Sequence, residues 1–411
     1  MDRTDSKIKE ALDILHSCLG NHGVYADPSR YDYQCWTRDF ALAIQPVLSQ
    51  VPGGAEAGER HLRSLAVRQG PDGKMPIVFL DGFFGTAHFL WEKARKSIRD
   101  GKLSFMLRRY LTGHLGDLTP GTRDSELMFL HALAQRPNSG WWWNALPDDL
   151  ALAARRARHY IERNLLDEND MMTGADWRDT MEKELAHQPL LSNNAVWYGV
   201  LHYLGLPDRA HRLREKLRNR CEGGVLCDYP GAGRFDPLGG ALAILCGVAD
   251  YAQDADWLVD CFQSVDSPHG VTIRCRHNSQ DAAEAAVIDR TDGVVVWPFV
   301  VGFSAIALNR LGTPRARELA LDQLRKLLLL DGFREWYDPS DGRGYGAKEQ
   351  LWSATLTVRA CHAILGEDLC HPAVLDWQCP VCHIDLTQAG RCECCGFDAK
   401  TSEHAGVDSL R

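Results

Sequence analysis

Apolar residues recur at helical spacing along most of this chain. They predict helices over Ile8 to Leu19, Phe40 to Leu48, Ala55 to Val67, Phe105 to Leu111, Glu126 to Ala134, Leu150 to Leu165, Asn194 to Leu204, Asp208 to Arg218, Leu238 to Val248, Asp256 to Phe262, Val295 to Leu311, Arg315 to Leu330 and Leu351 to Leu365. The helices are of two kinds. Leu150 to Leu165 carries Arg155, Arg156 and Arg158 on one face and is expected outside, whereas Val295 to Leu311 is apolar nearly all round and is expected inside. The two kinds tend to alternate, as an inner barrel of buried helices wrapped by an outer one requires. Roughly six hairpins of about 60 residues each would use up the chain as far as residue 370. A solenoid would show self-similarity at a fixed period, and none is visible. The prediction is an all-α fold, an (α/α)6 toroid over residues 1–370.

Composition narrows the class of partner. The 46 basic and 55 acidic residues leave a net charge of −9, with no basic face for nucleic acid or an anionic membrane. The longest apolar run, Gly293 to Leu308, is too short to cross a bilayer and contains Pro298. A charged amino terminus, Met-Asp-Arg-Thr-Asp-Ser-Lys-Ile-Lys-Glu, has no signal-peptide core, so a cytoplasmic location is expected. In a reducing compartment the 14 cysteines read as thiols or metal ligands. Nine of them (Cys18, Cys35, Cys221, Cys227, Cys246, Cys261, Cys275, Cys361, Cys370) are scattered singly and read mostly as small buried hydrophobes.

The loops leading into the apolar helices hold the candidate chemistry. Five of them set an acid or amide at the mouth of a helix, four with an aromatic beside it. They are Tyr33-Gln34-Cys35-Trp36-Thr37-Arg38-Asp39-Phe40, Thr119-Pro120-Gly121-Thr122-Arg123-Asp124-Ser125-Glu126, Gly174-Ala175-Asp176-Trp177-Arg178-Asp179-Thr180-Met181, Arg334-Glu335-Trp336-Tyr337-Asp338, and Tyr345-Gly346-Ala347-Lys348-Glu349-Gln350-Leu351-Trp352-Ser353. One such Asp is ordinarily a helix N-cap, and Trp297-Pro298 alone is ordinarily packing. Capping does not call for an aromatic beside each acid, so the recurrence points to a carbohydrate cleft. Glycoside hydrolysis needs one carboxyl to protonate the departing oxygen and another to activate water.

In this order the segments resemble a group of helical-toroid glycoside hydrolases. The group comprises the neutral/alkaline invertases, the amylo-α-1,6-glucosidase part of glycogen-debranching enzymes, processing α-glucosidase I, and the mannosylglycerate or glucosylglycerate hydrolases. The match is a set of short motifs spread over residues 30 to 360. Arg38-Asp39-Phe40 is similar to the group's sugar-binding Arg-Asp segment, Gly73-Lys74-Met75-Pro76 to its next loop, and Asp124-Ser125 to the Asp after that. Trp177-Arg178-Asp179 resembles the loop bearing the general acid, and Glu335-Trp336-Tyr337-Asp338 the loop bearing the general base. Gln350-Leu351-Trp352-Ser353 matches the start of the last inner helix, and Trp297-Pro298 occupies the place of the same dipeptide.

Two choices stay open on the residues alone. Asp176 and Asp179 flank one Trp, and only one can serve the leaving oxygen; register with the group's loop favours Asp179, and the other would bind sugar hydroxyls or hold Arg178. Glu349 competes with Glu335 as base but lies beside Lys348, which would tie it up. The resemblance implies an inverting hydrolase for an α-linked glucoside or related small glycoside, with Asp179 as acid and Glu335 as base. Trp36, Arg38, Asp39, Asp124, Asp176, Trp177, Asn193, Trp297, Lys348 and Trp352 are the candidate sugar-binding residues. A sugar epimerase on the same toroid and a non-catalytic glycan-binding scaffold are the alternatives.

From Asp376 onward the composition turns to Cys, Gly and polar residues, marking residues 371–411 as a separate module. Cys379-Pro380-Val381-Cys382 and Cys392-Glu393-Cys394-Cys395 are paired knuckles at the spacing of a structural zinc site, with Cys379, Cys382, Cys392 and Cys395 as ligands and Cys394 as a spare that could replace Cys395. Four thiolates close the coordination sphere, so the zinc is expected to be structural and catalysis to need no cofactor. The module resembles zinc ribbons and could bind a protein partner or mediate self-association.

Overall fold

Helices that bury a single stripe alternate along the chain with helices buried on all sides. The computed structural model describes residues 3–82, 91, 123–135, 146–178, 181–218, 221–222, 225–249, 251–275 and 281–366. The predicted helix Phe105 to Leu111 and the whole cysteine module lie outside these residues.

Six helical stretches among the described residues form the inner ring. The first is α2 (Thr37–Asp39), prolonged by a π-helical turn, Phe40–Ile44, and a 3-10 turn, Gln45–Gln50. The others are α4 (Ser125–Ala134), α7 (Leu191–Tyr203), α9 (Pro237–Leu245), α12 (Pro298–Leu311) and α14 (Leu351–Leu365). Each packs on the next, and α14 packs back on the Phe40–Ile44 turn, so the ring closes. Outside them lie α1 (Arg3–Ser17), α3 (Gly54–Val67), α5 (Asp148–Asn164), α8 (Pro207–Arg218), α10 (Tyr251–Ser264) and α13 (Pro314–Leu329). Helix α1 packs against α14, bringing the two ends of the described chain together. This is the double ring that the alternation predicts.

Burial follows the pattern. In α5 the buried residues Leu150, Ala151, Ala153, Ala154, Ala157 and Ile161 form one stripe, while Arg155 and Arg156 are exposed. Inner helices approach more closely than side chains would permit. A Cβ on Gly302 would stand 2.9 Å from the Leu356 Cβ and 3.2 Å from its carbonyl oxygen, so glycine there lets α12 lie against α14. Cys18, Cys35, Cys227, Cys246, Cys261, Cys275 and Cys361 are all buried free thiols.

The structure corrects the sequence reading in three places. The stretch Val294–Val296, assigned mostly to a helix, is strand β6, and α12 begins only at Pro298. A residue before proline is driven toward extended backbone, and the valine run favours a strand. Strand β6 belongs to a small antiparallel sheet with β5 (Thr272–Arg274), β7 (Trp336–Tyr337) and β8 (Gly344–Tyr345), which with the short pair β3 (Cys221–Glu222) and β4 (Val225–Leu226) is an addition to a mostly helical fold. Helix α11 (Ala282–Thr291), capped by the Asp281 side chain, was not predicted. The stretch Phe40 to Leu48 departs from regular α geometry because Pro46 has no N–H to donate to the Leu42 carbonyl. That carbonyl accepts from Arg359 Nη1 at 3.0 Å.

Candidate active site

The loops between outer and inner helices gather at one end of the ring, where they touch one another through a connected set of side chains. Strand β1 (Gln34–Trp36) pairs with β2 (Val78–Leu80) and delivers Trp36 next to the first turn of α2. Arg38, buried in that turn, pairs through Nε with Asp124 Oδ2 at 3.2 Å and donates from Nη1 to the Trp177 carbonyl at 3.2 Å. Three loops remote in sequence are thereby joined at one guanidinium. Asp39 Oδ2 accepts from Gln350 Nε2 at 3.4 Å, bringing in the start of α14.

Aromatic rings continue the connection. The ring centre of Trp177 lies 4.9 Å from that of Trp297, 4.8 Å from Phe299 and 6.0 Å from Trp352, all edge to face. Phe299 and Trp352 stack at 4.2 Å. The indole nitrogens of Trp36, Trp177 and Trp352 are buried with no hydrogen-bond acceptor among the described residues. A buried indole N–H ordinarily has a partner.

Glu335 precedes β7 and joins the site through Tyr31, whose ring centre lies 6.3 Å from that of Trp36, and through the Arg334 carbonyl, which accepts from the Ser353 hydroxyl of α14 at 3.0 Å. Its side chain is almost fully buried, and Oε2 accepts from the Ala347 backbone N–H at 2.9 Å. The Tyr31 hydroxyl donates to Oε1 at 3.2 Å, and Arg30 Nη1 lies 3.7 Å from Oε2. Burial, with the charges of Glu335 and Asp39 nearby, pushes the Tyr31 phenol well above its ordinary pKa, so it stays a neutral donor. The same Arg30 lies 3.9 Å from Glu284 Oε1, which also accepts the Gly346 N–H at 3.0 Å. Gly346 has φ +74°, and a Cβ there would lie 2.4 Å from Glu335 Oε2, so only glycine lets the hairpin close over this carboxylate.

Asp176 sits in a different network. Arg178 donates to it from Nε at 2.9 Å and from Nη2 at 2.8 Å, and the Ser192 hydroxyl donates at 2.7 Å. The opposite edge of the guanidinium meets Asp228 at 2.7 and 3.0 Å. Burial works against ionisation of Asp176, but Arg178 holds its carboxyl below the usual range; Asp176 and Asp228 in turn keep the buried Arg178 firmly protonated. Asp236, which caps α9, is pushed up to about 7 by burial and by Asp228. Asp176 is thus placed as a counter-ion of Arg178 with both oxygens engaged.

The remaining candidates are dispersed. Asn193 is buried at the start of α7 and holds the Gly174 carbonyl at 3.3 Å. Lys348 is exposed, as is its neighbour Glu349. Trp197 lies fully within the core, and Trp336 is stacked on Tyr345. Asp179 lies outside the described residues. Cys379, Cys382, Cys392 and Cys395 lie outside them too. Among the described residues no cluster of His, Cys, Asp or Glu is arranged to hold a metal, and no helix is long and apolar enough to cross a membrane.

Sequence reasoning missed Tyr31, Arg30, Glu284 and Asp228. Tyr31 had a local signal in the aromatic run Tyr31-Asp32-Tyr33, a few residues before Trp36. The other three acquire meaning only from their partners in space.

No family profile matches the sequence, and no curated protein matches it either. Solved structures do. A single-site variant of a glycosidase matches with a TM-score of 0.60 at 15% identity, covering 88% of this chain and 97% of that one. The wild-type form of a glycosidase matches at 0.56 and 14%, with the same coverage. A mannosylglycerate hydrolase from Thermus thermophilus in complex with glucose matches at 0.49 and 16%, covering 86% and 99%. At such identities the first two comparisons speak for architecture, and the chain has the helical-toroid fold of those glycosidases.

Proposed function

We propose that the protein is a glycoside hydrolase that cleaves an α-linked glucoside or a related small glycoside with inversion. The observation that carries the reading is the convergence of Arg38–Asp124, Asp39–Gln350, the Trp177, Trp297 and Trp352 rings, and Glu335 with its Tyr31 donor. Each belongs to a loop that resembles the toroid hydrolases in sequence, and the ring folds these loops against one another. Aromatic rings joined through Arg38 to the Asp124 carboxylate suit a ligand that offers both apolar ring faces and hydroxyls. Trp36, Arg38, Asp39, Asp124, Trp177, Trp297 and Trp352 are the sugar-binding residues in this reading.

In the proposed reaction Glu335, ionised and oriented by Tyr31, Arg30 and the Ala347 N–H, takes a proton from water. The water oxygen bonds to the anomeric carbon as the glycosidic bond breaks. Asp179 gives its proton to the departing oxygen, and the sugar leaves with inverted configuration. Engagement of both Asp176 oxygens by Arg178 and Ser192 supports Asp179 as the acid of this loop. Single displacement requires about 6.5 to 9.5 Å between the two carboxyls.

Asp179→Asn and Glu335→Gln should each abolish turnover while leaving the helical signal intact, and near-normal activity in either would refute its assignment. Proton NMR of the first-formed anomer, on α-glucosides, sucrose, trehalose and glycosylglycerates, tests both hydrolysis and inversion; an epimerase or a scaffold releases no free sugar. For the C-terminal module we propose a structural zinc held by Cys379, Cys382, Cys392 and Cys395, on a segment available to a protein partner or a second copy.

A further inference from the structure

A polar cavity of about 310 Å³ opens beside the start of α4, and none of the clustered tryptophans lines it. Lys74, Arg123, Ser125, Glu126, Tyr160 and Asn164 supply its polar walls. It is the size of a small-ligand pocket. Two of these side chains are cations, and the only carboxyl among them is that of Glu126.

Arg123 is the informative residue. Among the described residues no carboxylate pairs with its guanidinium: Asp124, next in the chain, pairs with Arg38, and Glu126 Oε1 accepts the Met75 N–H at 2.8 Å. Its stem is nevertheless fixed. The backbone N–H donates to the Ala175 carbonyl at 3.2 Å, and the side-chain carbons fill the space a Cβ on Gly174 would need, with Arg123 Cβ 2.7 Å from it. Gly174 has φ +126°, a conformation that excludes other residues, so the Asp176–Trp177 loop is shaped to let this arginine pass. A half-buried guanidinium anchored in this way, with a cavity before it and no carboxylate paired with it among the described residues, suits a planar or tetrahedral oxyanion. Ser125, Tyr160 and Asn164 add hydroxyl and amide groups that suit ligand hydroxyls. Burial also keeps the Glu126 carboxyl protonated up to about pH 7, which weakens the opposing charge.

We propose that this cavity binds a small hydroxylated oxyanion, a sugar phosphate or a sugar acid, at a site separate from the aromatic cleft. The inference stands on the cavity and not on the hydrolase reading, which gives none of the cavity's side chains a catalytic or sugar-binding role, although Lys74, Arg123, Ser125 and Glu126 lie in segments that carry the resemblance. Titration calorimetry on the full chain with glucose 6-phosphate, gluconate and glucose tests it. The two anions should bind and glucose should not bind here, and the preferred anion tells phosphate from carboxylate recognition. Arg123→Gln should weaken anion binding at least about tenfold, with Arg123→Lys intermediate. Lys74→Gln serves as a second variant should Arg123→Gln fail to fold. Glu335→Gln, which disables the proposed chemistry, should bind the anions as the wild type does. Absence of anion binding at about 10 mM, or equal binding by Arg123→Gln and Lys74→Gln, would overturn the site. So would displacement of the anion by a neutral glycoside occupying the cleft.

Discussion

Replacing Glu126 by Gln should make the protein more stable at neutral and alkaline pH than at acid pH, relative to wild type. Glu126 is the second residue of α4 and only 2% exposed. Burial raises its pKa from 4.5 to about 7, against the Met75 N–H bond and Lys74, which favour the ionised form. The folded protein therefore holds a proton that the unfolded chain releases above about pH 4.5. Stability falls as pH rises through that interval and is flat above about pH 7. At about 1.4 kcal/mol per unit the displacement corresponds to about 3 kcal/mol. Glutamine keeps an oxygen for the Met75 N–H and never ionises, so it escapes the loss. Urea unfolding of both proteins at half-unit steps from pH 4.5 to 8.5 isolates the effect, because every other titrating group cancels in the difference. The difference should move in the variant's favour by about 3 kcal/mol between pH 4.5 and 8 and then level off. A difference that does not change with pH would show that Glu126 ionises normally in the fold and that its burial has been misjudged.

Three further outcomes follow from the same geometry. Arg178→Met leaves Asp176 and Asp228 buried without their shared cation, and should destabilise the protein by about 3 to 5 kcal/mol; a loss below about 1 kcal/mol in urea unfolding would mean the network is not closed to water. Gly346→Ala places a methyl against Glu335 Oε2 at a left-handed position, and should lower kcat by about a hundredfold with helicity by circular dichroism unchanged; wild-type kinetics would remove Glu335 from the chemistry. Metal analysis of freshly purified protein should find about one zinc per chain, lost in Cys379→Ser with the toroid's helical signal retained; zinc-free wild type would contradict the ribbon.

The double ring was legible in the sequence because burial in a helix is written at a period the eye can follow. Leu150 to Ile161 shows one apolar stripe and the stretch from Pro298 shows none, and inner and outer positions follow from that difference alone. Periodicity failed where another constraint overrode it. At Val294–Val296 the apolar pattern continued into α12, but Pro298 and the partner strand β5 drew it into a sheet. The candidate site was legible in part for the same reason. Trp177 and Trp352 stand out locally because an aromatic beside an acid at a helix mouth has no capping purpose, and the fold packs both edge to face against Trp297. Asp176 and Asp179 were not separable in this way. Which of two acids flanking a tryptophan is taken by Arg178 depends on Asp228 and Ser192, contributed by other parts of the ring, and no window around residue 177 contains them. Arg30 and Glu284 show the limit most clearly. Each is an unremarked charge in its own segment, yet Arg30 lies within 3.9 Å of Glu284 and 3.7 Å of Glu335. The Arg30 side chain is 42% exposed, so water screens its attraction, and the proposed base is oriented by that charge together with the direct bonds from Tyr31 and the Ala347 N–H, none of them a neighbour in sequence.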